Sequence, residues 1–330
     1  MLLLVSSSTE IVTSCPLCPC RKAVIISRRA RDGSPLTTVV CRDCGLVRTE
    51  PLPDPEALAA FYRENYRLLY KKTYQPRSYH VLRAARLAAE RIERLGKYLV
   101  PGAFILDAGC GGGEFLYLLR SAGCRVIGIE PNLGYATYAR EELGLEVHIG
   151  LIGEQNFSSA QFDGITLFHV LEHIPAPVDS LRRLAGWLKP GGFLAVEVPN
   201  FEAKCGHPAH RFHRAHLFHF TPKTLARCGL LAGLEPVEQT TSPDEGVLWS
   251  VFRLPEQGAS PVPPASGGYE RLRELERTRS AFQYWLSLDT WRRALQRTGR
   301  MAAERMASRR YGSRRQILDE TAGRLRLPHA

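Results

Sequence analysis

The feature that most constrains the fold of this chain is the stretch FILDAGCGGGEF, from Phe104 to Phe115. Three apolar residues lead into Asp107, four of the next six residues are glycine, and a helix start follows. Because glycine has no Cβ, such a turn lets the backbone lie close against a ligand. A glycine turn between a strand and a helix predicts a nucleotide-type pocket at the carboxyl edge of a parallel sheet.

The spacing of this stretch argues against a dinucleotide as the ligand. A G-x-G-x-x-G/A motif that began at Gly109 would place Glu114 at a position that requires a small residue. Asp107 would also turn a second negative charge toward a pyrophosphate. An adenosyl ligand with a free amine suits this carboxylate better.

The run D-x-G-C-G-x-G, Asp107 to Gly113, resembles motif I of the class I S-adenosylmethionine-dependent methyltransferases. The resemblance covers about residues 15–254. It implies an α/β fold with a seven-stranded, mostly parallel Rossmann-like sheet, S-adenosyl-L-methionine as cofactor, and methyltransferase activity. A structural glycine turn in another α/β protein is the alternative.

The resemblance also implies which residues hold the cofactor. Glu130 ends the second strand, where a carboxylate can accept hydrogen bonds from both ribose hydroxyls. The chain reads Gly-Leu-Ile-Gly at 150–153, where the family usually has an Asp, so we expect apolar stacking and backbone contacts to hold the adenine. The residues expected to bind the cofactor are Asp107, Gly109, Cys110, Gly111, Gly113, Glu130, Pro131, Ile152 and Phe168.

Four cysteines near the N-terminus form two C-x2-C pairs, Cys15 with Cys18 and Cys41 with Cys44. Each pair places two thiolates in one tight turn, and two such turns complete a tetrahedral Zn²⁺ site. The segments AVIIS and LTTVV between the pairs read as strands joined by an Asp-Gly turn. The pattern predicts a zinc ribbon with structural zinc, and Cys20 is expected to stand outside the site. A redox dithiol is the weaker interpretation.

The sequence HVLEH, residues 169–173, follows the fourth predicted strand, Phe162–Phe168. It resembles the VLEH element of methyltransferases that act on small molecules. In that comparison His169 lies nearer the cofactor, and we expect it to position the acceptor rather than transfer a proton. A helix cap or a backbone hydrogen bond is an equally weighted interpretation of His173.

The segment CGHPAHRFHRAHLFHF, residues 205–220, carries five of the ten histidines. We interpret it as an active-site lid whose histidines titrate near neutral pH. A metal site is less favoured, because the segment offers only Cys205 as a cysteine or acidic partner.

Part of this segment, HRAHLFHFTPKTL, resembles the substrate segment of nucleotide-sugar C-methyltransferases. His216 takes the position of that family's catalytic histidine, Ala215 replaces a glutamate, and His213 stands where tyrosine is common. The missing glutamate weakens methylation at carbon but not at oxygen. The expected catalytic residues are His216, His213 and His169.

The chain is expected to contain several consecutive parts. These are a zinc ribbon (1–50), a helical lead-in (51–100), the methyltransferase domain (101–254), a linker (255–268) and a basic helical tail (269–330). The tail has fifteen arginines against seven acidic residues and so carries +8 of the net charge of +11. It is expected to pack on the domain or on a second subunit; a membrane-surface helix and a nucleic-acid contact are alternatives.

The sequence favours a cytoplasmic location. No apolar run reaches the roughly 18 residues of a membrane span, and MLLLV lacks the basic region of a signal peptide. The predicted function is methyl transfer to oxygen or carbon of a small-molecule or carbohydrate-type acceptor, a sugar or glycan. The alternatives are an rRNA or tRNA base methyltransferase and a non-enzymatic scaffold that binds partners through its tail.

Overall fold

A computed structural model describes residues 9–66, 69, 73–205, 211–256, 258, 260–277 and 281–325 of the 330 residues. The MLLLV start, His207 and His210 lie outside the described residues. The chain divides into two compact units. The first unit comprises Met1–Pro53, Phe168–Gly186 and Leu194–Arg293, and the second comprises Asp54–Leu167, Trp187–Phe193 and Ala294–Ala330.

The strands and helices follow one another along the described chain as follows. The strands are β1 Glu10–Val12, β2 Lys22–Arg29, β3 Pro35–Cys41, β4 Val47–Thr49, β5 Phe104–Ala108, β6 Arg125–Glu130, β7 Val147–Ile149, β8 Phe162–Phe168, β9 Leu188–Pro199, β10 Phe218–His219, β11 Glu235–Thr241 and β12 Val247–Arg253. The helices are α1 Pro55–Ala60, α2 Ser78–Leu95, α3 Glu114–Ser121, α4 Leu133–Glu141, α5 Pro177–Trp187, α6 Pro222–Leu231, α7 Gly268–Arg277, α8 Ala281–Leu286, α9 Leu288–Ser308 and α10 Arg314–Ala322.

The predicted seven-stranded α/β sheet is confirmed. Its strand order is β11-β12-β9-β8-β5-β6-β7. Strand β5 pairs in parallel with β6 and with β8, whereas β11 and β12 form the predicted antiparallel pair. Ile105, Leu106 and Ile165 are fully buried, which is the continuous apolar pattern of strands covered on both faces.

The N-terminal cysteines belong to a second, five-stranded sheet with the order β1-β2-β3-β4-β10. All its pairings are antiparallel. The predicted Asp-Gly turn joins β2 and β3: Gly33 has a φ of +83°, and the Ser34 N–H donates to Asp32 Oδ1 at 3.0 Å. The ribbon hairpin is therefore confirmed.

Helix α7, the start of the basic tail, packs on this ribbon sheet. Tyr269 and Leu272 are buried in one apolar cluster with Val24 and Val40. The helix begins at a close backbone contact, because a Cβ on Gly268 would lie 2.2 Å from the Cys44 carbonyl oxygen. The start of the tail is thus an integral part of the first unit.

Helix α10, at the end of the tail, packs in the second unit against α2 and α3. It buries Ile317 and Leu318 completely. Arg314 fixes its first turn by pairing with Glu142, with Nε 3.1 Å from Oε2. The predicted helical tail is confirmed at both of its ends. None of the helices in the described ranges combines the length and the apolar character needed to cross a membrane.

Candidate active site

The glycine turn after β5 has the backbone conformation that its sequence predicts. Gly109 and Gly113 have φ values of +89° and +80°, which side-chain-bearing residues rarely adopt. The N–H groups of Gly109 and Cys110 both donate to the Ile129 carbonyl oxygen, at 2.7 and 2.9 Å. A Cβ on Gly113 would meet Leu145 Cδ1 at 2.6 Å, so the turn requires glycine there.

Glu130 closes this turn from the end of β6. Its Oε2 accepts from the Gly111 N–H at 2.8 Å, and its Oε1 accepts from the Asn132 N–H at 3.1 Å. The side chain is buried, and the two amides fix its orientation. Each carboxylate oxygen has more than one acceptor site, so both can still accept from a ligand. Pro131 lies between these contacts in the chain.

Asp107, at the end of β5, is a second buried carboxyl group. It is 4% exposed, and the Thr166 hydroxyl donates to its Oδ1 at 2.7 Å. Burial raises the pKa of Asp107 to about 6, because it penalises the charged form more than the Thr166 hydrogen bond stabilises it. Asp107 is therefore mostly ionised at neutral pH and becomes protonated in mild acid.

Two further predicted cofactor residues are apolar. Ile152 is largely buried in a short 3-10 helix, Ile152–Glu154, after β7. The Leu151 N–H donates to Glu154 Oε2 at 2.8 Å and fixes this turn. Phe168, at the start of the second segment of the first unit, stacks on Trp249 with a centroid distance of 5.6 Å.

S-adenosylmethionine fits the residues of the second unit. The turn presents bare glycine backbone at Gly109 and Gly111, against which an adenosyl group can lie. Glu130 offers acceptors for two hydroxyls, and Asp107 offers a buried negative charge for an amine.

The four predicted zinc ligands form one compact group. The Sγ atoms of Cys15, Cys18, Cys41 and Cys44 all lie within 4.8 Å of one another. Cys15 and Cys44 are 3.5 Å apart, and Cys18 and Cys41 are 3.4 Å apart, between their Sγ atoms. A tetrahedral site with Zn–S bonds of about 2.3 Å has S–S edges of about 3.8 Å. The donor set fits zinc, and Cys20 stands outside it.

His169 joins two buried glutamates in the first unit. Its Nδ1 lies 3.5 Å from Glu172 Oε1, and its Nε2 lies 3.5 Å from Glu197 Oε1. Desolvation alone would lower the pKa of His169, but the two carboxylates outweigh it and raise the pKa to about 9. The residue also has a strained backbone, with a φ of +56°, held by an N–H donated to the Glu197 carbonyl oxygen at 2.7 Å. His169 is thus a cationic, fixed group.

His213 and His216 lie together beside the HVLEH sequence. The ring of His216 is centred 4.7 Å from His213 and 4.9 Å from His173. Burial lowers the pKa of His213 to about 4 and holds the pKa of His216 far below its usual value. Both rings are neutral at physiological pH, so both have a nitrogen lone pair.

The lid interpretation is wrong for residues 211–220. Strand β10 of this segment pairs with β4 of the ribbon, with Phe218 opposite Arg48. The Thr49 N–H also donates to the Leu217 carbonyl oxygen at 2.8 Å, and the Leu217 N–H donates to the Glu172 carbonyl oxygen at 2.8 Å. Backbone hydrogen bonds on both sides therefore fix the segment between the ribbon and the HVLEH turn.

Sequence reasoning missed two acidic residues of this site, Glu172 and Glu197. Glu172 lies in the VLEH element, whose resemblance to small-molecule methyltransferases implies roles only for the neighbouring histidines. Glu197 is the one charged residue in the run FLAVEVP, and a charge in an otherwise apolar strand is a usable signal. The acidic partner that the histidine segment lacks in sequence is supplied by Glu172 from another segment of the first unit.

Comparison with known proteins agrees with this geometry. A family profile described as "Methyltransferase domain" matches residues 80–239. The ubiquinone biosynthesis O-methyltransferase of Thiobacillus denitrificans is 31% identical over 172 residues, which cover 47% of this chain and 74% of that protein. The C-methyltransferase NovU of Streptomyces niveus is 27% identical over 236 residues, 70% of this chain and 54% of that protein.

Among solved structures, the 1,6-didemethyltoxoflavin-N1-methyltransferase of Burkholderia thailandensis matches with a TM-score of 0.49 and 22% identity. The match covers 64% of this chain and 96% of that one. The chain spans only about half the length of several other curated relatives.

The chain belongs to the class I S-adenosylmethionine-dependent methyltransferase family. Its methyl donor is S-adenosylmethionine, and the predicted enzyme class is confirmed.

Proposed function

We propose that this enzyme methylates an oxygen or carbon atom of a small-molecule or carbohydrate-type acceptor, a sugar or glycan. The observation that carries the proposal is the pair of neutral rings beside the HVLEH turn, those of the buried His213 and the half-buried His216. Relatives named as an O-methyltransferase and a C-methyltransferase support both acceptor atoms. Ala215, where nucleotide-sugar C-methyltransferases have a glutamate, favours oxygen.

The donor is proposed to bind through the second unit's buried carboxylates. Glu130 would accept from the ribose hydroxyls, and Asp107 would face the amine. The other residues proposed to contact the cofactor are Gly109, Cys110, Gly111, Gly113, Pro131, Ile152 and Phe168. When bound, S-adenosylmethionine would supply a methyl group carried on a sulfonium, and the acceptor atom would take this methyl group as the sulfonium becomes the neutral thioether of S-adenosylhomocysteine. The sulfonium is a good leaving group, so positioning supplies most of the rate.

The histidines are proposed to act on the acceptor. His216 accepts the proton of the acceptor oxygen on its neutral ring nitrogen. His213 is held by the Ala215 N–H, which donates to its Nδ1 at 3.0 Å, and positions the acceptor. His169, cationic between its two glutamates, serves as a hydrogen-bond donor and is not a base in its resting state.

His216→Ala is expected to lower turnover about 100-fold or more, because an acid–base group contributes about 10²–10⁴ in rate. The dissociation constant for S-adenosylmethionine should stay within about twofold, since the proposed donor residues lie in the second unit except for Phe168. Turnover is measured as transfer of a labelled methyl group to a panel of catechols and nucleotide-linked sugars. His148→Ala, a half-exposed histidine on β7, is the control. Unchanged turnover in His216→Ala would remove this residue from the acceptor site.

Cofactor affinity is expected to fall in acid because Asp107 must be ionised to hold the amine. With the pKa of Asp107 near 6, the affinity at pH 5 should be about tenfold lower than at pH 7. The sign is opposite for folding: a carboxyl whose folded pKa is raised gives stability below pH 3.8 that is lost as the pH rises through 6. Calorimetric titrations at both pH values test this. Asp107→Asn should bind weakly and without this pH dependence; the same tenfold change in that variant would refute the assignment.

We also propose that the four ribbon cysteines hold structural Zn²⁺. The support is their closed donor set, which leaves no position for a substrate.

A further inference from the structure

A second group of potential metal ligands lies in the first unit, apart from the cysteines. Glu172, His173 and His216 each offer one ligand atom, and the three atoms lie within 4.8 Å of one another. Glu172 and His173 come from the short 3-10 helix Leu171–His173, and His216 comes from the segment that precedes β10. The site exists because backbone hydrogen bonds join these two segments.

The surroundings of the Glu172 carboxylate favour a bound cation. The Glu172 side chain is only 2% exposed, and neither oxygen has a hydrogen-bond partner among the described residues. His169 Nδ1 lies 3.5 Å from Glu172 Oε1, and His173 Nε2 lies 3.7 Å from the same atom. These distances exceed those of good hydrogen bonds. A buried carboxylate left in this state is costly, and a bound cation is a standard way to satisfy it.

The ring of His173 is oriented as a metal ligand would be. Its Nδ1 lies 2.6 Å from the Ala215 carbonyl oxygen, which can only accept, so Nδ1 carries the proton. The lone pair is then on Nε2, the atom 3.7 Å from Glu172 Oε1. Metal-binding histidines commonly donate their other N–H to a backbone carbonyl in this way, which fixes the tautomer and the ring plane.

The local charge also favours a cation. Glu172 and Glu197 are both buried, and His169 lies between them at 3.5 Å from each. Even as an imidazolium, His169 brings one positive charge to two carboxylates. A divalent cation at Glu172 would neutralise this carboxylate, so that the single positive charge of His169 would have only Glu197 to balance.

We propose that Glu172, His173 and His216 bind a divalent transition-metal ion, with Zn²⁺ as the best-matched probe. Two imidazoles and one carboxylate form the three-ligand set of catalytic metal sites, in which a further position stays open. The ribbon group, by contrast, has four thiolates and is closed.

The role of this ion rests on the proposed function. Its open position would take the acceptor oxygen, and a bound cation makes such an oxygen more acidic. His216 would then hold the ion and would not accept the proton, which would pass from the cation-bound acceptor oxygen to solvent water. Binding of the ion can be measured without any acceptor, so the two proposals can fail separately.

The test is the metal content of the full-length protein after equilibrium dialysis against Zn²⁺. We expect two ions per chain in the wild type and one in both Glu172→Gln and His216→Asn. Cys20→Ser, which alters a cysteine outside the ribbon group, is the matched control and should keep two. The ion that the ribbon cysteines retain in each variant shows that the first unit, which holds both groups of ligands, is still folded.

The absorption spectrum of the Co²⁺-loaded protein distinguishes the proposed site from the ribbon cysteines. Co²⁺ at the proposed site should add ligand-field bands without thiolate charge transfer, and these bands should be lost in His216→Asn while the thiolate bands of the ribbon remain. One ion per chain in the wild type, or two in both variants, would overturn the proposal. Neither of these results would affect methyl transfer itself, which the labelled-methyl assay measures independently.

Discussion

Replacing Glu130 by glutamine is expected to weaken S-adenosylmethionine binding about 100-fold. Glu130 accepts from two backbone amides, those of Gly111 and Asn132, through its two oxygens. Glutamine offers one oxygen, so its NH₂ group would face an N–H donor at the other contact. The two charge-assisted hydrogen bonds proposed between the ribose hydroxyls and Glu130 are worth roughly 3 kcal/mol together. Their loss corresponds to about two powers of ten in affinity.

Calorimetric titration with S-adenosylmethionine measures this effect. Glu146→Gln is the matched control, because Glu146 is 67% exposed just before β7, and its affinity should equal that of the wild type. An affinity for Glu130→Gln within twofold of the wild type would mean that Glu130 neither shapes the turn nor meets the ribose.

Cys18→Ser is expected to abolish methyl transfer while leaving S-adenosylmethionine binding in place. Structural zinc contributes roughly 10–16 kcal/mol of apparent binding energy to small zinc domains, so the ribbon should unfold without it. Strand β4 of the ribbon pairs with β10, and Thr49 binds the backbone of Leu217 next to His216. Loss of the ribbon therefore releases the histidine segment.

Cys20→Ser is the control two positions away, because Cys20 lies outside the group of four. It should keep both its zinc and its turnover. Zinc analysis, labelled-methyl transfer and calorimetry are compared for the two variants. Full turnover by Cys18→Ser after loss of its zinc would show that the ribbon does not support the acceptor site.

Local patterns predicted much of the second unit. Helix Glu114–Ser121 and strand Phe162–Phe168 have the predicted bounds, because glycines and a sharp change of periodicity mark their ends. Asn132 caps the next helix by accepting from the Tyr135 N–H at 3.2 Å. Residues close in sequence determine such features, so a single sequence is enough to predict them.

The acceptor side could not be predicted in the same way. Strand β10 has two residues, and it exists only because β4, far away in sequence, supplies its hydrogen bonds. Glu172, His173 and His216 likewise meet only through the folded backbone. The histidine segment alone offered only Cys205 as a cysteine or acidic partner for a metal, because Glu172 comes from a different segment.

The packing of the basic tail likewise could not be predicted from the sequence alone. Its composition left packing, membrane and nucleic-acid contacts open, and charge alone did not decide among them. The buried faces of Tyr269 and Leu272 in α7 and of Ile317 and Leu318 in α10 show that both ends pack within their units. Trp285 and Trp291, in contrast, are about half exposed.

Transfer of a labelled methyl group from S-adenosylmethionine can be measured side by side with small molecules and with total RNA as acceptors. The wild type is expected to label a catechol or a nucleotide-linked sugar. Glu130→Gln should raise KM for S-adenosylmethionine, and His216→Ala should lower kcat with that KM unchanged. Label in RNA alone would mean that the enzyme is not a small-molecule methyltransferase, and full kcat in His216→Ala would mean that His216 does not act in the acceptor site.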